Sequence, residues 1–146
     1  MDNIIISGVM QTPLKKIYHP MGDVFHGMKK SNPGYVDFGE VYFSTIKSGL
    51  IKPWKRHLRM TLNLIVIVGE IRFVIYDNRI DSDTCNNFMD ITLSVDNYYR
   101  LTIPPNVWMA FEGKGKNLNL LLNIADLEHD PQEIERMELT GISYKW

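Results

Sequence analysis

One histidine of this 146-residue chain lies inside a run of cations. The run is Lys55-Arg56-His57-Leu58-Arg59, directly ahead of the apolar stretch Leu62 to Val68. An imidazole titrates near neutrality, so it serves as a general base with little tuning. The flanking Lys55, Arg56 and Arg59 would depress its pKa and keep it neutral. They would also attract an anionic group such as a diphosphate. The plainer alternative is a basic surface patch at the start of a strand. Other candidates for binding are spread along the chain. Arg72 and Tyr76 share a parity with Val74 in the run Ile71 to Tyr76, and Asn123 shares one with Asn119. Buried asparagines need partners, so an inward pair would make the interior polar. His26 and Lys29 lie in the loop HPMGDVFHGMKKSNPGY, where either could hold a phosphate.

These side chains must be positioned by strands. Gly69 separates Leu62–Val68 from Ile71–Tyr76, which fits a tight turn or bulge between paired strands, a central hairpin. Short strands are also predicted at residues 3–6, 14–18, 88–95, 98–103, 107–111 and 117–125. Tyr35 to Ile46 reads as a longer strand. Val36, Phe38, Glu40, Tyr42 and Ser44 lie on one parity, Asp37, Val41, Phe43 and Thr45 on the other. Neither parity is cleanly polar, so both faces are expected to be covered. Pro104-Pro105-Asn106 reads as a turn, since proline cannot extend a central ladder. Near the end, Asp130-Pro131-Gln132-Glu133 opens a short helix to about Met137–Leu139: Asp130 as N-cap, Pro131 at N1, Glu133 reaching back in a capping box. About nine strands and one late helix imply an all-β sandwich or barrel, with the jelly-roll the natural choice.

Composition narrows the classes. The length points to one domain over residues 1–146, and 45% apolar residues suffice for a core. The apolar runs are too short to cross a bilayer, and the N-terminus lacks the basic and apolar regions of a signal peptide, so a cytoplasmic protein is expected. A single cysteine, Cys85, excludes an internal disulfide and a cysteine-based zinc site. A net charge of −1 gives no case for nucleic-acid or membrane binding. Barrels of this size usually hide an edge in a dimer, so a homodimer is expected, with residues 2–18 the candidate for a lent strand.

The segments GDVFHGMKK, GEIRFVIYDNR, IPPNVWMAF and HDPQEIER occur in an order that resembles the dTDP-4-dehydrorhamnose 3,5-epimerase group of cupins, over roughly Gly22 to Arg136. The resemblance implies a dimeric jelly-roll barrel acting on a nucleotide-linked 4-keto sugar, in making cell-surface polysaccharide (lipopolysaccharide or capsule). It implies no metal and no cofactor: the ketone acidifies the neighbouring C–H bonds, a histidine takes the proton and a tyrosine returns it. His57 matches the base. Lys55 and Arg59 would hold phosphate or enolate, and Asn63 falls near the lysine that opens the family's central strand. Asn123 stands about where the proton-returning tyrosine would be, and Met109 where a turn histidine would be. The carboxylate that supports the base has no clear counterpart in Leu139 to Trp146. In the metal-binding cupins, the ligand positions correspond here to His57, Arg59, Asn63 and Met109, of which one could ligate. Two functions follow: an epimerase or isomerase with His57 as base, or a non-catalytic sugar-nucleotide binding module that has lost the tyrosine.

Overall fold

The computed structural model describes residues 4–146. Twelve strands follow one another. They are β1 (Met10–Pro13), β2 (Lys16–Ile17), β3 (Val24–Phe25), β4 (Glu40–Thr45), β5 (Ile51–His57) and β6 (Leu62–Val68). Then come β7 (Glu70–Asp77), β8 (Asn87–Ser94), β9 (Tyr99–Ile103), β10 (Trp108–Gly113), β11 (Leu120–Ala125) and β12 (Ile134–Arg136). Two five-stranded antiparallel sheets result, in the orders β1-β9-β6-β11-β4 and β12-β5-β10-β7-β8, and β2 pairs with β3 apart from them. This is the expected jelly-roll architecture. No helix among the described residues is long and apolar enough to cross a membrane.

The core lies between the inner faces of the two sheets. Leu62, Leu64, Val66, Leu101, Ile103 and Leu121 of one meet Ile71, Phe73, Ile75, Met109 and Phe111 of the other. Each such side chain contributes about 1.5–3 kcal/mol on burial. A second apolar layer covers the outer face of the β5-containing sheet. There Trp54, Trp108, Val74 and Ala110 pack beneath Leu139, Tyr144 and Trp146. The C-terminal segment is therefore tied down as part of the fold.

Several expectations are corrected. β6 and β7 form no hairpin, because β6 pairs with β9 and β11 while β7 pairs with β8 and β10. Gly69 is the corner where the chain crosses between sheets. Its φ of 76° suits glycine, and a side chain there would meet Leu118 O and the Asn119 amide. The polar cluster before β6 is itself a strand, β5. Residues 4–6 are not in a strand, and residue 3 lies outside the described residues. β1 follows instead and pairs with β9 of its own chain; residues 2 and 3 of the segment expected to be lent are likewise outside the described residues. The expected C-terminal helix is one 3-10 turn, Pro131–Glu133, followed by β12 on the edge of β5. Asp130 does cap it, accepting from Gln132 N. Glu133 turns inward rather than back to Asp130, since a stronger partner waits there.

Candidate active site

β5 presents the central groups. Opposite it, the register of β10 shifts: Met109 faces Lys55 and Phe111 faces Lys52, so three steps on β5 oppose two on β10. Pro53 sits within this bulge, at a position a regular ladder would not accept. The extra residue flips parity and brings Lys52 onto the same face as Lys55 and His57. All three line a cavity of about 280 Å³ between the sheets. The remaining wall comes from Tyr42 and Ser44 of β4, from Leu62, Leu64, Met109, Phe111 and Leu121 of the core, and from Arg136 and Met137.

His57 is 5% exposed. Its Nδ1 lies 2.5 Å from Glu133 Oε1, and its Nε2 is buried with no hydrogen-bond partner among the described residues. Glu133 is 2% exposed. Its other oxygen accepts from the main-chain N–H groups of Arg59, at 3.1 Å, and Met60, at 3.2 Å. Burial by itself would raise the Glu133 carboxyl; the hydrogen bonds from His57, Arg59 and Met60 outweigh it and hold the group below its ordinary value. For His57, burial is the largest influence and pushes the imidazole below its ordinary 6.5; Glu133 opposes this, and Lys55 and Arg136 add to it. A carboxylate on Nδ1 fixes the neutral tautomer that carries its proton there. It leaves a lone pair on Nε2 of a residue that lines the cavity.

Tyr42 reaches the cavity from the opposite sheet. Its hydroxyl accepts a hydrogen bond from Asn123 Nδ2 at 2.8 Å. Burial pushes its pKa up, the Asn123 bond draws it down, and Glu40 and Glu133 push it up. Lys52, Lys55 and Arg136 surround the cavity, and among the described residues none has a carboxylate within 4.0 Å. Burial, followed by Arg136 and Lys52, lowers the pKa of Lys55.

The structure thus brings together His57 and Lys55 of the sequence candidates, with Asn123 one bond behind Tyr42. The others stand outside this cavity. Arg59 turns outward to Asp130 at 3.0 Å. Asn63 belongs to the outward parity of β6, where its Nδ2 donates to Gly34 O and its Oδ1 accepts from Thr102. Arg72 and Tyr76 face outward on β7. Arg72 is held by Asp90 and Glu112 and lies against Trp146. Tyr76 stacks on Phe88 at 4.5 Å and donates to Asn86. His26 and Lys29 border a separate cleft beside Arg100, whose guanidinium donates to Gly27 O and Pro33 O. Sequence reasoning missed Tyr42, Glu133, Lys52 and Arg136. Proline inside a strand was the available signal for Lys52. Glu133, 76 positions from His57, carried none beyond the segment's order.

No family profile matches the chain. A probable low-salt glycan biosynthesis epimerase of Haloferax volcanii is 32% identical in an alignment 97 residues long that covers 63% of this chain. The chain spans 62% of the length of that relative. The dTDP sugar isomerase of Desulfovibrio desulfuricans G20 is 37% identical in solved structure, with a TM-score of 0.88 over 92% of this chain and 86% of that one. The dTDP-4-dehydrorhamnose 3,5-epimerase of Elizabethkingia anophelis shares the fold at 12% identity, with a TM-score of 0.77 over 92% of this chain and 78% of that one. Likeness in sequence and fold to the first of these solved structures shows that this chain belongs to the family of that dTDP sugar isomerase, and it shares its barrel with the dTDP-4-dehydrorhamnose 3,5-epimerase.

Proposed function

We propose that the protein moves a proton next to the ketone of a nucleotide-linked 4-keto sugar, with His57 as general base and Tyr42 as the group facing it. The observation that carries this reading is a buried imidazole that lines a cavity, with one nitrogen fixed by a carboxylate and the other unpartnered among the described residues. In the reaction, the C–H bond next to the ketone breaks. Its proton passes to His57 Nε2, and its electrons flow through the new C=C bond to the ketone oxygen. Glu133 offsets the imidazolium charge that results. Return of a proton to the same carbon from Tyr42 on the opposite face inverts that carbon. Return to the former ketone carbon, once the neighbouring hydroxyl has passed its proton to the former ketone oxygen, moves the ketone instead. The imidazolium then gives its proton to the phenolate through solvent, restoring both groups.

Lys52, Lys55 and Arg136, without a carboxylate partner among the described residues, suit the diphosphate of a sugar nucleotide. The likeness to a dTDP sugar isomerase supports thymidine as the nucleoside. His26 and Lys29, which border the separate cleft, fit a role only where a second copy brings that loop over this cavity; a homodimer, a cytoplasmic setting and a place in making surface polysaccharide belong to the same proposal. The steps as written use only the chain's own side chains, and no three His, Cys, Asp or Glu side chains are gathered among the described residues.

Incubation with dTDP-4-keto-6-deoxyglucose in heavy water tests the reading. Deuterium should enter at C3 or C5, and His57→Asn should abolish the exchange. Tight binding of the sugar nucleotide with no exchange at either carbon would establish the non-catalytic binding module instead.

A further inference from the structure

Asn123 and Tyr42 are register partners across the β4–β11 pair, and both turn inward. Asn123 is fully buried, and its carboxamide is not free to choose its orientation. Its Oδ1 accepts from the main-chain N–H of Asn63 at 3.0 Å, so Nδ2 is the atom that faces Tyr42 Oη, 2.8 Å away. Nδ2 is a donor only, so Tyr42 must accept. A phenol has one proton. With its acceptor side held by Asn123, that proton points elsewhere, and the cavity that Tyr42 lines is the open direction. Apart from Tyr42, Nδ2 reaches only Met60 Sδ, at 3.9 Å, a weak acceptor that does not compete.

We propose that Asn123 is the positioning residue that makes Tyr42 a proton donor. It presents the hydroxyl proton to the cavity and supports the negative charge left on the oxygen once that proton has gone. The inference rests on the reading of Tyr42 as the second acid–base group. The residue that stands where a family tyrosine is expected therefore supports a tyrosine on the neighbouring strand. Other groups facing Tyr42 are Lys52, Lys55 and His57 from β5, Glu133 and Arg136 from the segment beside it, and Glu40 on its own strand. None of them is a fixed amide donor to the hydroxyl, so none substitutes for Asn123.

Asn123→Asp is nearly isosteric and keeps the bond to Asn63 N–H. It places an acceptor where the donor stood, so Tyr42 would turn its proton away from the cavity. Asn123→Ala removes both bonds, and it serves if the buried carboxyl of N123D takes up a proton and imitates the amide. Folding is checked by circular dichroism and melting temperature. Exchange into dTDP-4-keto-6-deoxyglucose is followed against pH. The Tyr42 phenol is titrated by ultraviolet absorbance, as the difference between each protein and its Y42F version. N123D should lose about 100-fold in kcat, and N123A about 10-fold, with KM nearly unchanged because Asn123 does not line the cavity. The phenol titration and the alkaline limb of the rate should both move to higher pH, a shift that general loosening of the fold would not produce. Folded N123D and N123A proteins that keep kcat within about threefold, with an unmoved phenol titration, would overturn the inference. Loss of exchange in Y42F together with full exchange in both Asn123 variants would overturn it while leaving the proposed reaction standing. Full exchange in Y42F would remove the role of Tyr42, and this inference with it.

Discussion

The two faces of the β5-containing sheet carry similar residue types in opposite states. On the outer face, Arg72 has two carboxylates and an aromatic neighbour, Tyr144 donates to Asp90, and Trp54 donates to Leu139 O. Each of these groups is matched by a group of the same chain. On the inner face, among the described residues, Lys52, Lys55 and Arg136 border a cavity without a carboxylate partner, and His57 Nε2 is buried without an acceptor or donor. A folded chain gains little from holding His57 Nε2 unmatched, since buried polar atoms are stable only when hydrogen-bonded. The outer face is built for stability. The outer face has unmatched atoms too, Arg56 Nε and Trp108 Nε1, but they lie in a packed layer, whereas the unmatched groups of the inner face gather around a cavity.

The contrast can be broken at several points. The largest effect is expected from His57→Asn, with a loss of at least about 10³-fold in deuterium exchange and an unchanged fold by circular dichroism. Glu133→Gln should lower exchange by about 100-fold and also move its acid limb. The base works only when neutral, so the rate rises with pH through the His57 pKa, which already lies below 6.5. Removing the carboxylate removes what raises that pKa, and the limb should move further toward acid; a limb that stays in place would mean that Glu133 does not govern His57. Lys55→Met and Arg136→Met should each raise KM by about 10-fold with a smaller change in kcat, read from initial rates. The smallest catalytic effect is expected on the outer face. Arg72→Met should leave kcat and KM alone while costing about 1 kcal/mol in urea unfolding. A large fall in kcat there would erase the distinction between the faces.

Much of the barrel was legible in the sequence because β8 to β11 are short apolar runs bounded by turn residues. The order of four weak motifs added the family. The site was less legible, and particular residues show why. Tyr42 and Ser44 face inward on β4, whereas Val41, 44% exposed, and Phe43, 64% exposed, face outward. The usual rule of apolar in and polar out is inverted there, so parity could not single out Tyr42. Glu133 satisfied a local motif, the capping box, which concealed its long-range partner. Arg72 and Tyr76 share β7 with the core residues Ile71, Phe73 and Ile75 but on the opposite parity, and a one-residue choice of register decides which set is inside. Gly69 suggested a hairpin because adjacent strands usually pair. In a jelly-roll the same glycine marks a change of sheet.

The partner of His57 comes from a part of the chain made long after the histidine itself. Glu133 sits on the 3-10 turn that leads into β12, and the segment beyond is fastened to the outer face through Trp54, Leu139 and Trp146. A nick or misfolding confined to residues 130–146 would leave every strand but β12 in place while taking from His57 the carboxylate that fixes its Nδ1.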